Sequence, residues 1–156
     1  MNSFKIVITI LFLYACNTKN PATVDEKTTH EPIKGVTTNI KVQEVHELIK
    51  NQCYVCHNPT AKSHDENLAP PLVAVKYRYK KQYDNRNSFI DGLTNFVSEP
   101  QKELALMKGA LQRFDVMPPL TLEKEQIRAI AGYLYDNKID EPAWFAEHFS
   151  EKHGAD

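Results

Sequence analysis

Cys53-Tyr54-Val55-Cys56-His57 constrains this chain more than any other stretch of it. Two cysteines separated by two residues and followed at once by a histidine form C-x-x-C-H, the attachment signature for c-type haem. The spacing has a chemical reason. Two thiols so placed lie on one side of a tight helical turn, where each can add to a vinyl group. The histidine that follows is held beneath the porphyrin plane as an iron ligand. Two other chemistries use paired cysteines. A zinc site needs further ligands, usually a second clustered pair, and the chain has only one more cysteine, Cys16. A redox-active dithiol of the thioredoxin type needs a strand–helix setting, and no strand-like alternation is convincing anywhere in the sequence.

Cys16 closes an N-terminal segment that reads as an export signal. Lys5 gives the positive end, Ile6 to Tyr14 is apolar apart from Thr9, and Ala15 is the small residue before the cysteine. The run is too short for a transmembrane helix of about 20 residues. Leu13-Tyr14-Ala15-Cys16 resembles a bacterial lipobox, with Tyr14 bulkier than is usual there. The reading is a signal peptide over 1–15, lipidation at Cys16 and a membrane held through that lipid. Residues 16–39 then form a flexible tether, rich in Thr, Lys, Asn and Pro and without period. At about 5–6 Å × √n it spans roughly 25 Å. The expected location is the cell envelope, facing the periplasm, where c-type haem is attached in bacteria. A formal net charge of -1 gives no argument for nucleic acid.

From Ile40 the apolar residues recur at helical spacing, and at 156 residues the chain favours a single domain. Val42, Val45, Leu48 and Ile49 form one face of a helix running into the C-x-x-C-H motif. Residues 58–71 read as a loop and Leu72 to Gln82 as a short helix. Asn87 or Ser88 caps the next helix, with Phe89, Ile90, Leu93, Phe96 and Val97 as its stripe. Pro100 starts a fourth, with Leu104, Met107, Ala110 and Leu111 in register. Pro118 and Pro119 forbid helix, and Thr121 caps a fifth containing Leu122, Ile127, Ile130, Ala131 and Leu134. The expected fold is all-α, with about five short helices over 40–137 and an extension over 138–156. Trp144, Phe145 and Phe149 in that extension suit a short helix packed back on the domain, or a docking surface.

The order helix, C-x-x-C-H, loop, helices, Met-Pro, helix resembles the class I cytochrome c family, over roughly residues 40–137. The resemblance implies a cytochrome c-like fold around one covalent haem c. Its first and last helices would cross, and Gly132 would permit a close crossing. It implies thioethers at Cys53 and Cys56 and His57 as the proximal iron ligand. Ala69-Pro70-Pro71-Leu72 resembles the family's Gly-Pro-x-Leu segment, departing from it at Ala69. There the Pro70 carbonyl would accept a hydrogen bond from His57, and Leu72 would pack on the haem. Met117-Pro118 resembles the distal methionine loop, which makes Met117 the sixth ligand. Met107 competes, but its place on a helix stripe assigns it to the core. His46, His64 and His148 have polar neighbours and read as surface residues.

Phe89, Phe96, Phe114, Val116, Leu120 and Tyr133 are candidates for the pocket wall. Lys76, Arg78, Lys80 and Lys81 form a basic cluster, either a solvated helix face or a docking patch for an acidic partner. With His57 and Met117 on iron no coordination position is open. The resemblance then implies a non-enzymatic carrier of single electrons between redox protein partners. A haem-based sensor and a small anchored subunit of a larger respiratory enzyme are the alternatives.

Overall fold

Apolar residues return every three or four positions from Val45 to Phe149, and Pro, Asn or Asp interrupts between the runs, so the chain folds as a series of helices. The structure, a computed structural model, describes residues 41–153. The expected signal peptide over 1–15, the expected lipidation site Cys16 and the expected tether to residue 39 lie outside the described residues. Six α-helices are described: α1 Val42–Leu48, α2 Leu72–Gln82, α3 Arg86–Ser98, α4 Lys108–Phe114, α5 Lys124–Asp136 and α6 Phe145–His153. There is no strand among the described residues, so the fold is all-α.

Helix α1 buries Val45, and Ile49 is buried in the turn that follows. Val42, in the first turn, is 59% exposed, so the buried face starts one turn later than its spacing suggested. The helix then widens by one residue per turn over Ile49–Cys53, where the Tyr54 amide donates to the Ile49 carbonyl at 3.1 Å. Such π-helical turns cluster at functional sites. This one delivers the C-x-x-C-H segment.

The core lies where α3 and α1 meet α5, with α2 against both α3 and α5. Phe89 fills its centre, edge-on to Tyr79 at 6.0 Å and to Tyr135 at 5.1 Å between ring centroids. Arg86 closes the outside of α3 and α5 with two nitrogens on the Asp136 carboxylate, its Nη2 at 2.7 Å from Oδ2. Gly132 does permit a close approach, but toward α3. A β-carbon there would stand 3.1 Å from Arg86 Nη2 and 3.6 Å from Ile90 Cδ1. The expected role in a crossing with α1 is therefore corrected.

Helix ends differ from the sequence reading where one hydrogen bond decides them. Asn85, not Asn87 or Ser88, caps α3, its Oδ1 accepting from the Ser88 amide at 3.0 Å. Glu123, not Thr121, caps α5, with Gln126 Oε1 accepting from the Glu123 amide at 2.9 Å. Pro100 starts no helix. Residues 100–107 run as turns, because side chains take carbonyls that a helix would need: Arg78 Nε donates to Leu106 O and Lys108 Nζ to Lys102 O. After Pro142, which is fully buried, α6 folds back and the Trp144 indole donates to the Ala61 carbonyl at 3.0 Å.

Candidate functional site

The turn after α1, the loop before α2, and helices α2, α3, α4 and α5 surround one apolar cleft. It holds about 1250 Å³ of atom-free space, part of it open to solvent. Cys53, Cys56 and His57 line it from the end of α1, and Leu68, Ala69 and Pro70 from the loop. Leu72 and Val75 of α2, Phe96 and Val97 of α3, and Ile127, Ile130 and Ala131 of α5 supply apolar wall. The segment from Ala105 through α4 to Leu120 supplies more.

The turn that carries the cysteines is held by its own backbone. The amides of Cys56 and His57 both donate to the Cys53 carbonyl, at 3.1 and 2.9 Å. His57 Nδ1 donates to the Pro70 carbonyl at 2.5 Å. That bond fixes the ring and the tautomer, and it leaves Nε2 free as a base. Burial holds the imidazole below its usual pKa, and the Pro70 bond opposes that shift. Both cysteines are free thiols. Burial pushes the Cys53 thiol up to about 11. A reactive dithiol needs the reverse, a thiol lowered by a helix N-terminus or a nearby cation. Here the pair follows the C-terminal end of α1, where the helix dipole disfavours a thiolate.

Met117 lines the cleft, and so does Met107. Met107 is not on a helix stripe. It occupies the N-cap position of α4, with φ -100° and ψ 77°, so the helix-stripe placement expected for it is corrected. Phe96, Phe114, Val116 and Leu120 line the cleft as expected. Phe89 and Tyr133 do not. Phe89 is core, and Tyr133 stacks on His46 with centroids 5.7 Å apart. None of His46, His64 and His148 lines the cleft. His64 and His148 are half-buried and stacked at 4.7 Å, both edge-on to Trp144, because the return of α6 brings them together.

The basic cluster of α2 is engaged within the molecule. Lys76 Nζ donates to Asn137 O at 2.6 Å, Arg78 holds Leu106 O, and Lys80 lies 4.1 Å from the centre of the Tyr135 ring. The site also contains a residue that sequence reasoning missed. Asp115, in the cleft lining, has φ 61° and ψ -171°. Only glycine adopts that region readily. Lys102 holds its carboxyl below the usual range, helped by the Val116 amide. A non-glycine residue at positive φ leaves no mark in a sequence. Among the described residues no group of three or more His, Cys, Asp and Glu side chains is placed to hold a bare metal ion.

No family model matches the chain, and no solved structure matches it. It is 31% identical over 123 residues to an uncharacterized protein of Aquifex aeolicus (strain VF5). The alignment takes in 68% of this chain and 80% of that protein. The two chains belong to one family. No helix among the described residues is long and apolar enough to cross a membrane.

Proposed function

We propose that this protein is a monohaem c-type cytochrome, similar to the class I family, that carries single electrons between redox protein partners. One observation carries the reading. His57 is tied through Nδ1 to Pro70 O, with both motif cysteines beside it on the lining of a large apolar cleft. The residues fit the group. Cys53 and Cys56 stand as free thiols able to form thioethers. His57 and a methionine are the only iron ligands the protein has to supply, since the porphyrin fills the equatorial positions. Met117 takes the sixth position in this reading and Leu72 packs on the macrocycle.

When bound, the haem supplies a one-electron couple. The rest is the work of the chain. The Pro70 carbonyl orients His57 and raises its basicity. The apolar walls exclude water and weigh against additional positive charge, which together with a sulfur ligand raises the reduction potential. Val55 and Leu68 are largely exposed, and Leu68 reaches the cleft lining, so apolar surface adjoins the mouth. With His57 and Met117 both holding the iron, the protein would act as a carrier rather than a catalyst. The lipobox-like Leu13–Cys16 supports anchoring to the membrane through Cys16, facing the periplasm.

The test is covalent attachment. Denatured, acid-extracted protein should keep its colour and gain the mass of one haem, and Cys53→Ala with Cys56→Ala should lose both. Colour that extracts completely from the wild type would sink the proposal. In the same preparations the wild type should partition into membranes and Cys16→Ser should not.

A further inference from the structure

We propose that Lys102 and Asp115 form a clamp that presents Met117 to the sixth coordination position, and that opening it withdraws the sulfur. The proposal rests on the haem reading above and adds the residues that position its distal ligand.

Asp115 is the one non-glycine residue with positive φ among the described residues. A side chain in that conformation is strained, and persists only where its surroundings over-determine it. Two contacts do so here, both on the same carboxylate oxygen. Lys102 Nζ lies 2.9 Å from Oδ1, and the Val116 amide donates to Oδ1 at 2.8 Å. The Asp115 amide donates to Leu111 O at 3.0 Å and ends α4. The chain therefore turns sharply at Asp115 directly before Val116 and Met117.

On the far side, Pro118 and Pro119 restrict the backbone, and a residue before proline is biased to extended geometry. Met117 is thus held between a fixed turn and a stiff dipeptide. Lys102 also belongs to a tied segment, since its carbonyl accepts from Lys108 Nζ in the first turn of α4. The ion pair joins the two ends of the stretch that carries Met107, and Met117 follows just past it. Both side chains are well exposed, at 60% and 70%. An exposed pair adds little to fold stability and is weakened by salt. Its effect falls instead on the direction of the loop it closes.

The experiment compares holoprotein of the wild type, Lys102→Met, Lys102→Arg, Asp115→Gly and Met117→Ala. Three readouts are taken: the near-infrared sulfur–iron band of the ferric form, carbon monoxide binding by the ferrous form, and exchange of the Val116 amide. Lys102→Met and Asp115→Gly should weaken the band and bind carbon monoxide about two- to fivefold faster. Val116 exchange should rise by a similar factor in both. Lys102→Arg should restore wild-type behaviour. High salt should move the wild type toward Lys102→Met and leave Lys102→Met unchanged. Lys102→Met with a wild-type band, carbon monoxide rate and salt response overturns the clamp while the haem reading stands, provided Met117→Ala loses the band. A band that survives Met117→Ala overturns Met117 as ligand, and the clamp with it. A wild type without covalent haem overturns the functional proposal itself.

Discussion

Phe89 and Phe96 lie two helical turns apart on α3, on a single stripe by sequence, yet the structure gives them different work. Phe89 is 0% exposed and is absent from the cleft lining. Phe96 lines the cleft. Phe89→Ala removes a fully enclosed ring, so its cost belongs in the range of about 3–5 kcal/mol for Phe→Ala in a core. Two edge-on partners, Tyr79 and Tyr135, place it in the upper half, since such pairs add about 0.5–1.5 kcal/mol beyond burial. A domain's whole stability is about 5–15 kcal/mol. At roughly 4 °C per kcal/mol the melting temperature should fall by roughly 16–20 °C. Urea unfolding of wild type, Phe89→Leu and Phe89→Ala, followed by circular dichroism, measures this. On the haem proposal Phe96→Ala should shift the visible spectrum and the potential, and Phe89→Ala should leave both in place. A loss below about 1 kcal/mol for Phe89→Ala would refute the burial argument. A spectrum moved by Phe89→Ala and not by Phe96→Ala would refute the assignment of core and cleft.

The return of α6 should depend on pH. Burial, Arg113, His148 and Lys152 all disfavour a charge on His64, and Asp65 alone opposes them, so its pKa is lowered from 6.5. The native state then binds fewer protons than the unfolded one below about that value. The stability this contributes is complete above pH 6.5 and is lost as pH falls through the native pKa. Trp144 fluorescence should report α6 loosening between pH 7 and 5, and His64→Phe should flatten the profile. An unchanged profile in His64→Phe would count against it. Gly92 is required first by Tyr83: a β-carbon there would sit 2.2 Å from the Tyr83 ring. Gly92→Ala should destabilise the wild type but stabilise a Tyr83→Ala background by about 0.5–1 kcal/mol, the ordinary helix gain. The same sign in both backgrounds would remove the steric explanation.

Much of the helical order was legible because hydrophobic spacing and prolines speak directly to the backbone. The structure places α2 at Leu72–Gln82, as its spacing and the preceding Pro71 require. Caps were less legible, because Asn85, Asn87 and Ser88 are all good capping residues and one hydrogen bond chooses among them. The segment from Pro100 to Met107 has helical spacing and is not helical. Arg78 of α2 holds the Leu106 carbonyl, and Lys108, the first residue of α4, holds that of Lys102. No local pattern records that competition, and with it went the reason for setting Met107 apart from Met117.

The site divides along the same line. The local part, the turn from Cys53 to His57, is closed by bonds to the Cys53 carbonyl and was legible as a motif. Its place after a helix was legible too, from the apolar face that runs into it, and so was the Pro70 carbonyl, from the resemblance; the raised Cys53 pKa was not. A C-x-x-C pair at a helix N-terminus would favour thiolates and thiol–disulfide exchange. In the same pair after the C-terminal end of α1, Cys53 is half-buried and its pKa is raised, which favours the neutral thiol there. His57 is then steadied from across the loop by a carbonyl at Pro70. The five residues name a chemistry, and the helix end on which they sit decides between its rivals. Reversing that end, by moving the motif to the start of a helix, should lower the Cys53 pKa and make the pair reactive toward disulfides. A thiol that stays near 11 after such a transplant would show that burial alone, and not the helix end, keeps it neutral.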